Sequence, residues 1–178
     1  MEASNELLEK AIAFAVEKHA GQKRKGDKSP YILHPFRVLA ILQTVKRTKN
    51  LNLLLIICVL HDVVEDCGVT LEEIARLFGY HVAAIVEELT TDKVMCDKMG
   101  KKDYLLQKML KMTSYALCVK LCDRLDNVRD MKSMDHAFQL KVKTETLYIL
   151  DGLAARKLSK THKILSSMIR RELKKCYN

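Results

Sequence analysis

The sequence lacks several features that are typical of other classes of protein. It contains no tryptophan, and aromatic residues make up only 6% of its 178 residues, so platforms for stacking nucleic-acid bases are scarce. The longest apolar run, around residues 53–60, is far too short to cross a bilayer. The first ten residues show neither the basic start nor the apolar stretch of a secretion signal. We therefore expect a cytoplasmic protein without membrane or nucleic-acid partners.

The six cysteines do not form a recognisable metal or redox motif. No two of them have the Cys-x-x-Cys spacing of a zinc knuckle or a thiol oxidoreductase. Several lie within or beside apolar runs, where a free thiol behaves as a small hydrophobic group. Free thiols in a reducing compartment are the expected state of this chain.

Sustained two-residue alternation is also absent, which disfavours β-sheet, whereas apolar residues recur at helical spacing along most of the chain. Both prolines lie within the first 35 residues, so the rest of the chain is free to form helices. We predict an all-α helical bundle that forms one domain over residues 1–178. Helices are expected before Gly21, after Pro35, over 51–60, after the capping-box pattern at Thr70, and over about 80–90, 104–112, 115–131, 136–157 and 161–175, with 91–103 irregular.

Charge is distributed unevenly along the chain. The net charge is +9, yet residues 51–92 contain eight acidic residues against one basic residue. An acidic centre within a basic frame can hold a cation and attract a polyanion. Many of the lysines are equally explained as a solvated surface.

One short segment concentrates the chemistry. The run IICVLHDVVEDC places His61, Asp62, Glu65 and Asp66 at the end of the most apolar stretch of the chain. If residues 61–66 form a continuous helix, His61 lies beside Glu65 and Asp62 beside Asp66. Converging carboxylates repel each other unless a cation sits among them. A divalent metal ion is the simplest explanation.

Two other segments offer further ligands. His34 lies in SPYILHP just before a predicted helix, and Asp123 lies in VKLCDRLDNVRD inside one. Together with His61 and Asp62 they form a set of two imidazoles and two carboxylates, which suits manganese, iron, cobalt or zinc better than calcium. Alternatively, His34 merely opens a helix and Asp123 forms a surface ion pair with Lys120 or Arg124.

The order of these blocks resembles a known family. HDVVED, with YILHP upstream and VKLCDRLDNVRD downstream, is similar to the HD-domain hydrolases of the RelA/SpoT type, and most similar to the small stand-alone alarmone hydrolases. Further matching blocks, from AIAFAVEKHAGQKRKG to TETLYILDGLA, extend the resemblance over nearly the whole chain. Since it covers the hydrolase region alone, hydrolysis is the activity that it implies.

The resemblance also implies particular roles. The family binds one divalent ion, usually Mn²⁺, and hydrolyses (p)ppGpp to pyrophosphate and GDP or GTP. Residues of this sequence that match the family's motifs would be the metal ligands His34, His61, Asp62 and Asp123, the catalytic pair Glu65 and Asp66, and the substrate-binding residues Arg24, Lys25, Lys98 and Asn127. The chain departs from the family at Asp126, where histidine or tyrosine is usual, and in the segment 94–103.

Three other interpretations remain open at this point. An HD-type enzyme of this kind could act on NADPH or another nucleotide, or the protein could bind a nucleotide without turnover. The basic residues of 156–175 could follow a nucleic-acid backbone. However, the same segment has an apolar helical face, so a packed helix with a solvated basic side explains it equally well. The oligomeric state is not indicated.

Overall fold

The computed structural model describes residues 2–175, with side chains from residue 5 onward. In this range it contains eleven α-helices and no strand, which confirms the predicted all-α class. The helices are α1 (Glu2–Lys18), α2 (Leu33–Val45), α3 (Leu51–Leu60), α4 (Val63–Cys67), α5 (Leu71–Phe78), α6 (Tyr80–Leu89), α7 (Lys93–Met99), α8 (Lys101–Lys111), α9 (Ser114–Asp130), α10 (His136–Gly152) and α11 (Lys160–Lys175). Within the described residues, no helix is both long and apolar enough to cross a bilayer.

The chain divides into two compact units. Among the described residues, the first unit runs to Arg24 and includes Lys28–Thr90, and the second comprises Lys25–Asp27 and the chain from Thr91 onward. The first unit therefore contains α1 to α6, and the second contains α7 to α11. The prediction of one domain over residues 1–178 stays a prediction.

Helix α3 is the centre of the first unit. It packs against α1, α2 and α6, and its residues from Leu54 to Leu60 are all buried. This confirms that an almost wholly apolar run forms a helix buried on all sides. Helix α5 pairs with α6 and begins at Thr70, whose hydroxyl accepts a hydrogen bond from the Glu73 amide at 3.1 Å, as the capping pattern predicted.

The continuous helix predicted over residues 61–66 is wrong. Helix α3 ends at Leu60, and α4 begins only at Val63. Asp62 lies between them with φ −108° and ψ −6°, in the right-handed region but away from ideal helical values, and its side chain does not cap α4. A hydrogen bond from the Tyr31 hydroxyl holds this carboxylate instead. The break therefore releases Asp62 for contacts away from the helix axis.

Helix α9 is the centre of the second unit, where it packs against α10 and α11. The guanidinium of Arg124 on α9 donates to the Glu145 carboxylate on α10 at 2.7 Å, and both residues are buried. Thr113 caps α9 by accepting from the Ala116 amide at 3.3 Å. Packing and this buried ion pair thus tie α9 to its neighbours in the second unit.

The prediction that residues 91–103 are irregular is also wrong. Helix α7 occupies most of this segment, and α8 begins at Lys101. The carboxylate of Asp92 caps α7 by accepting from the Met95 amide at 2.9 Å. Gly100, with φ +79°, separates the two helices in a conformation that favours glycine. The sequence did not indicate this short helix, because α7 buries no side chain and shows no apolar period.

Candidate metal centre

The two predicted histidines lie in α2 and directly after α3, both in the first unit. His34 lies in the first turn of α2, slightly inside the helix rather than before it, and is 1% exposed. Pro35 follows in the same turn, where a missing N–H costs no helical hydrogen bond. His61 directly follows α3 and is also 1% exposed. Imidazoles this deeply buried need polar partners or a metal ion.

Both imidazoles converge on one carboxylate oxygen. Oδ2 of Asp62 lies 3.0 Å from Nε2 of His61 and 3.5 Å from Nε2 of His34. The centroids of the two imidazole rings are 5.2 Å apart, and the rings are inclined at 62°. The structure therefore brings together three of the four predicted ligands within the first unit.

The hydrogen bonds of His61 show which nitrogen can bind a metal. Nδ1 lies 2.8 Å from the backbone carbonyl oxygen of Cys58, which can only accept, so we assign the proton to Nδ1. Nε2 is buried and has no hydrogen-bond partner among the described residues. The Asp62 oxygen 3.0 Å away does not satisfy this nitrogen, because a carboxylate oxygen and a ring nitrogen without a proton are both acceptors.

This arrangement fits a divalent ion. Metal-binding histidines generally donate their second N–H to a carbonyl or carboxylate, which directs the remaining lone pair at the ion. A buried nitrogen without a partner is costly, and a metal ion would satisfy it. Two imidazole nitrogens and a carboxylate oxygen match the preferences of first-row transition metals.

The electrostatics of the site follow from this geometry. Burial alone would raise the pKa of Asp62, but the His61 and His34 imidazoles outweigh burial and hold that pKa well below its usual value. Burial and the neighbouring Asp62 carboxylate raise the pKa of Tyr31, so its hydroxyl remains protonated and donates to Asp62 at 2.8 Å. Asp62 is therefore kept as an anion that accepts hydrogen bonds, the form in which a carboxylate binds metal.

The two predicted catalytic carboxylates lie on α4, directly after Asp62. Glu65 is half-buried and Asp66 is exposed. Partial desolvation of the Asp66 carboxyl group, together with the nearby Asp62 and Glu65 carboxylates, raises the pKa of Asp66. A carboxyl group with a raised pKa is better suited to carry a proton near neutral pH than an ordinary aspartate.

The fourth predicted ligand, Asp123, belongs to the second unit. It lies on α9, as expected, and is 5% exposed. Its Oδ2 lies 2.9 Å from Nζ of Lys120, and the Asn127 side-chain amide donates to Oδ1. The ion pair with Lys120 that the sequence left open is thus present, but it is largely buried rather than on the surface. Arg124, the other suggested partner, pairs with Glu145.

The predicted substrate-binding residues occupy different surroundings. Arg24 is buried in the first unit, with its guanidinium 5.5 Å from the centre of the Tyr31 ring. Lys25 and Lys98 are exposed residues of the second unit, and Lys98 lies near the end of α7. Asn127 is half-buried on α9, where its amide is bonded to Asp123. Asp126, the departure from the family pattern, is 2% exposed.

One residue of the site was missed by sequence reasoning. Tyr31 belongs to the quoted segment YILHP but was assigned no role, although its hydroxyl contacts Asp62. Its spacing was the available signal, because the His34 amide donates to the Tyr31 carbonyl at 2.8 Å in the turn that opens α2. A tyrosine three residues before a candidate ligand can reach the same site through such a turn.

Comparisons with known proteins identify the family of this chain. The HD domain family matches residues 11–158. The chain is 41% identical to the guanosine-3′,5′-bis(diphosphate) 3′-pyrophosphohydrolase MESH1 of Xenopus tropicalis, over 74% of this chain and 73% of that protein. It is also 35% identical to the guanosine-3′,5′-bis(diphosphate) 3′-pyrophosphohydrolase of Aquifex aeolicus, over 85% of this chain but only 21% of that longer protein.

Solved structures show the same relationship. A metazoan orthologue of SpoT, described as hydrolysing ppGpp, superposes with a TM-score of 0.78 at 26% identity, covering 93% of this chain and 94% of that one. A Listeria monocytogenes protein shares the fold, with a TM-score of 0.63 at 20% identity, covering 82% of this chain and 98% of that one. The resemblance inferred from the ordered motifs is confirmed, and the chain belongs to the HD domain family, in the group of the metazoan SpoT orthologue and the MESH1 proteins.

Proposed function

We propose that this protein is a metal-dependent hydrolase that removes the 3′-diphosphate of (p)ppGpp as pyrophosphate and leaves GDP or GTP. The observation that carries the proposal is the convergence of His34 and His61 on the Asp62 carboxylate, with a buried His61 nitrogen that lacks a hydrogen-bond partner among the described residues. This geometry occurs in a chain whose relatives are guanosine-3′,5′-bis(diphosphate) 3′-pyrophosphohydrolases.

The ligands of the ion would be His34, His61, Asp62 and Asp123. Two carboxylates would balance its double charge, and Mn²⁺ is the expected ion, with Fe²⁺, Co²⁺ or Zn²⁺ as alternatives for this donor set. Burial of Asp123 and its hydrogen bond from Asn127 support the inclusion of this residue, because a restrained carboxylate loses less freedom on binding metal. Asn127 would then both hold Asp123 and face the nucleoside.

The metal would supply positive charge and Lewis acidity at the reacting phosphate. Glu65 and Asp66 would orient the attacking water and accept its proton, since both follow Asp62 on α4. The raised pKa of Asp66 suits it to returning a proton to the leaving oxygen. The bond that breaks joins the 3′-oxygen to phosphorus, and the diphosphate leaves as pyrophosphate.

Arg24, Lys25 and Lys98 would bind the phosphates. Arg24 is the strongest candidate, because a guanidinium held over an aromatic ring is pre-oriented for bidentate phosphate binding. Lys25 and Lys98 are exposed and would contribute positive charge, but they would not fix the orientation of the phosphates.

Such a small-molecule site requires neither nucleic acid nor a membrane. We also place the protein in the cytoplasm, since the five described cysteines are all free thiols; Cys176 lies outside the described residues.

The test is pyrophosphate release from ppGpp by purified protein loaded with Mn²⁺. We expect turnover by the wild type, and its loss in Glu65→Ala and in Asp123→Ala. Glu87→Ala, which alters an exposed carboxylate on α6 in the first unit, is the matched control and should retain full activity. NADPH, dGTP and cyclic nucleotides are assayed in parallel. Turnover of one of these but not of ppGpp would replace the proposed substrate, and no turnover at all would indicate a nucleotide-binding protein without catalysis.

A further inference from the structure

The aromatic ring of Tyr31 lies at the centre of the site in the first unit. Its hydroxyl donates a hydrogen bond of 2.8 Å to Oδ2 of Asp62. Its ring meets the edge of His34 at 5.8 Å between centroids, and the guanidinium of Arg24 lies 5.5 Å from the ring centre. One side chain therefore contacts two residues that would bind metal and one that would bind phosphate.

His19 also packs against the Tyr31 ring. The two rings are stacked, with centroids 4.8 Å apart and an angle of 27° between planes, and His19 is 2% exposed. Gln22 fixes the orientation of His19, because its Nε2 donates to the Asp66 carbonyl at 3.1 Å and its Oε1 is therefore left to accept from Nδ1 of His19 at 2.8 Å. His19, which stacks on the Tyr31 ring, is thus itself held in place by the hydrogen bonds of Gln22.

We propose that Tyr31 is a positioning residue that orients Asp62 toward the metal through its hydroxyl and orients Arg24 toward the substrate phosphates through its ring. This inference rests on the proposed function and deepens it. The hydroxyl bond occupies part of the Asp62 carboxylate and so selects the orientation in which that carboxylate meets the ion. The ring attracts the guanidinium through its π-face and restricts the directions in which Arg24 can donate. Tyr31 itself need not touch the reacting atoms.

Two substitutions separate the two contributions. Tyr31→Phe keeps the ring and removes the hydroxyl, whereas Tyr31→Leu removes both. Tyr80→Phe is the matched control, because Tyr80 lies in the same unit and is 86% exposed. Circular dichroism and thermal unfolding of the metal-free proteins verify that each variant folds. If Tyr31→Leu does not fold, Tyr31→Met takes its place, since the flexible methionine side chain adapts to irregular space.

The first readout is Mn²⁺ affinity, measured by calorimetric titration of metal-free protein. Hydrogen bonds to metal ligands typically change affinity by about 10- to 100-fold, so we expect Tyr31→Phe to bind Mn²⁺ about 10-fold more weakly and Tyr80→Phe to match the wild type. Unchanged affinity in a folded Tyr31→Phe would overturn the role of the hydroxyl. A merely structural tyrosine would lower the melting temperature of the metal-free protein without this selective loss.

The second readout is the KM for ppGpp at saturating Mn²⁺. Tyr31→Phe should leave KM near the wild-type value, whereas Tyr31→Leu should raise it about 10-fold, because Arg24 loses its aromatic support. Equal KM values in the two variants would overturn the role of the ring.

Failure of the proposed function gives a different result. A wild-type protein that binds Mn²⁺ but releases no pyrophosphate would refute hydrolysis of ppGpp, while the Mn²⁺ titrations would still confirm or refute the effect of Tyr31 on Asp62. A wild-type protein that binds no Mn²⁺ would overturn both proposals.

Discussion

Nε2 of His61 lies 3.0 Å from Oδ2 of Asp62, yet the two atoms do not form a hydrogen bond. The other nitrogen of the ring is bonded to the Cys58 carbonyl, which fixes the ring in place. The partnerless ring nitrogen of His61 and the carboxylate oxygen of Asp62 are two adjacent donor atoms that one divalent ion could bind together. A metal ion bound by these two residues would explain why carboxylates and imidazoles follow the most apolar helix of the chain.

Loss of a ligand should abolish tight metal binding. We expect His61→Ala to reduce Mn²⁺ affinity by more than the roughly 100-fold that changes beside a ligand can cause, because it removes a donor atom. Calorimetric titration measures the effect. His81→Ala, which alters an exposed histidine of α6, is the control and should bind Mn²⁺ like the wild type. Equal affinity in His61→Ala and wild type would exclude His61 as a ligand.

Substitution of Glu65 should separate metal binding from turnover. Glu65→Gln retains the size of the side chain but cannot accept a proton, so we expect kcat to fall by about 100-fold or more, within the typical contribution of general acid–base catalysis. Mn²⁺ affinity should stay within about twofold of the wild type, because Glu65 is not a proposed ligand. Parallel measurement of both quantities checks this. If both fell together, Glu65 would instead act in the metal site.

The buried ion pair of the second unit should be important for stability. Glu145→Ala leaves the Arg124 guanidinium buried without its carboxylate, and breaking such a pair typically costs about 3–5 kcal/mol. Asp151→Ala is the control, because the Arg170–Asp151 pair is exposed and such pairs contribute about 0.2–1 kcal/mol. Urea unfolding of the three proteins measures the difference. Similar losses in both variants would show that the Arg124–Glu145 pair is no more important than a surface pair.

Acid should weaken the contact between Lys132 and Glu172. The hydrogen bond from Lys132, together with nearby Lys175, lowers the pKa of Glu172 below its usual value of 4.5. Its contribution to stability is therefore complete above that value and is lost as the pH falls through the lower pKa of the folded state. The expected contribution is about 0.5 kcal/mol, because the lysine is half-exposed.

The measurement is the free energy of unfolding of wild type and Glu172→Gln between pH 3 and pH 7. The difference between them should be constant near neutral pH and should shrink in acid. A difference that does not change with pH would mean that the carboxylate charge contributes nothing.

Much of the fold could be predicted from the sequence because helical periodicity and caps are local signals. The apolar run that forms α3 and the cap at Thr70 are examples, since both depend on residues within a few positions of each other. The break between Leu60 and Val63 could not be predicted in this way. It coincides with a hydrogen bond from Tyr31, about thirty residues earlier in the chain, and periodicity carries no information about such a contact.

The site was predictable in composition but not in geometry. The ordered motifs indicated His34, His61 and Asp62, and the first unit brings these three together. The role of Tyr31 was not evident, because a tyrosine before a helix is compatible with many arrangements until the turn that opens α2 is known. That Asp123 binds the same ion stays a prediction.

The most direct test of the account is anomalous diffraction from crystals of this protein grown with Mn²⁺. The account predicts one strong peak in the anomalous map within bonding distance of His34, His61, Asp62 and Asp123. A map without a peak there, or with the four side chains directed away from the bound ion, would contradict the metal centre and the hydrolysis that depends on it.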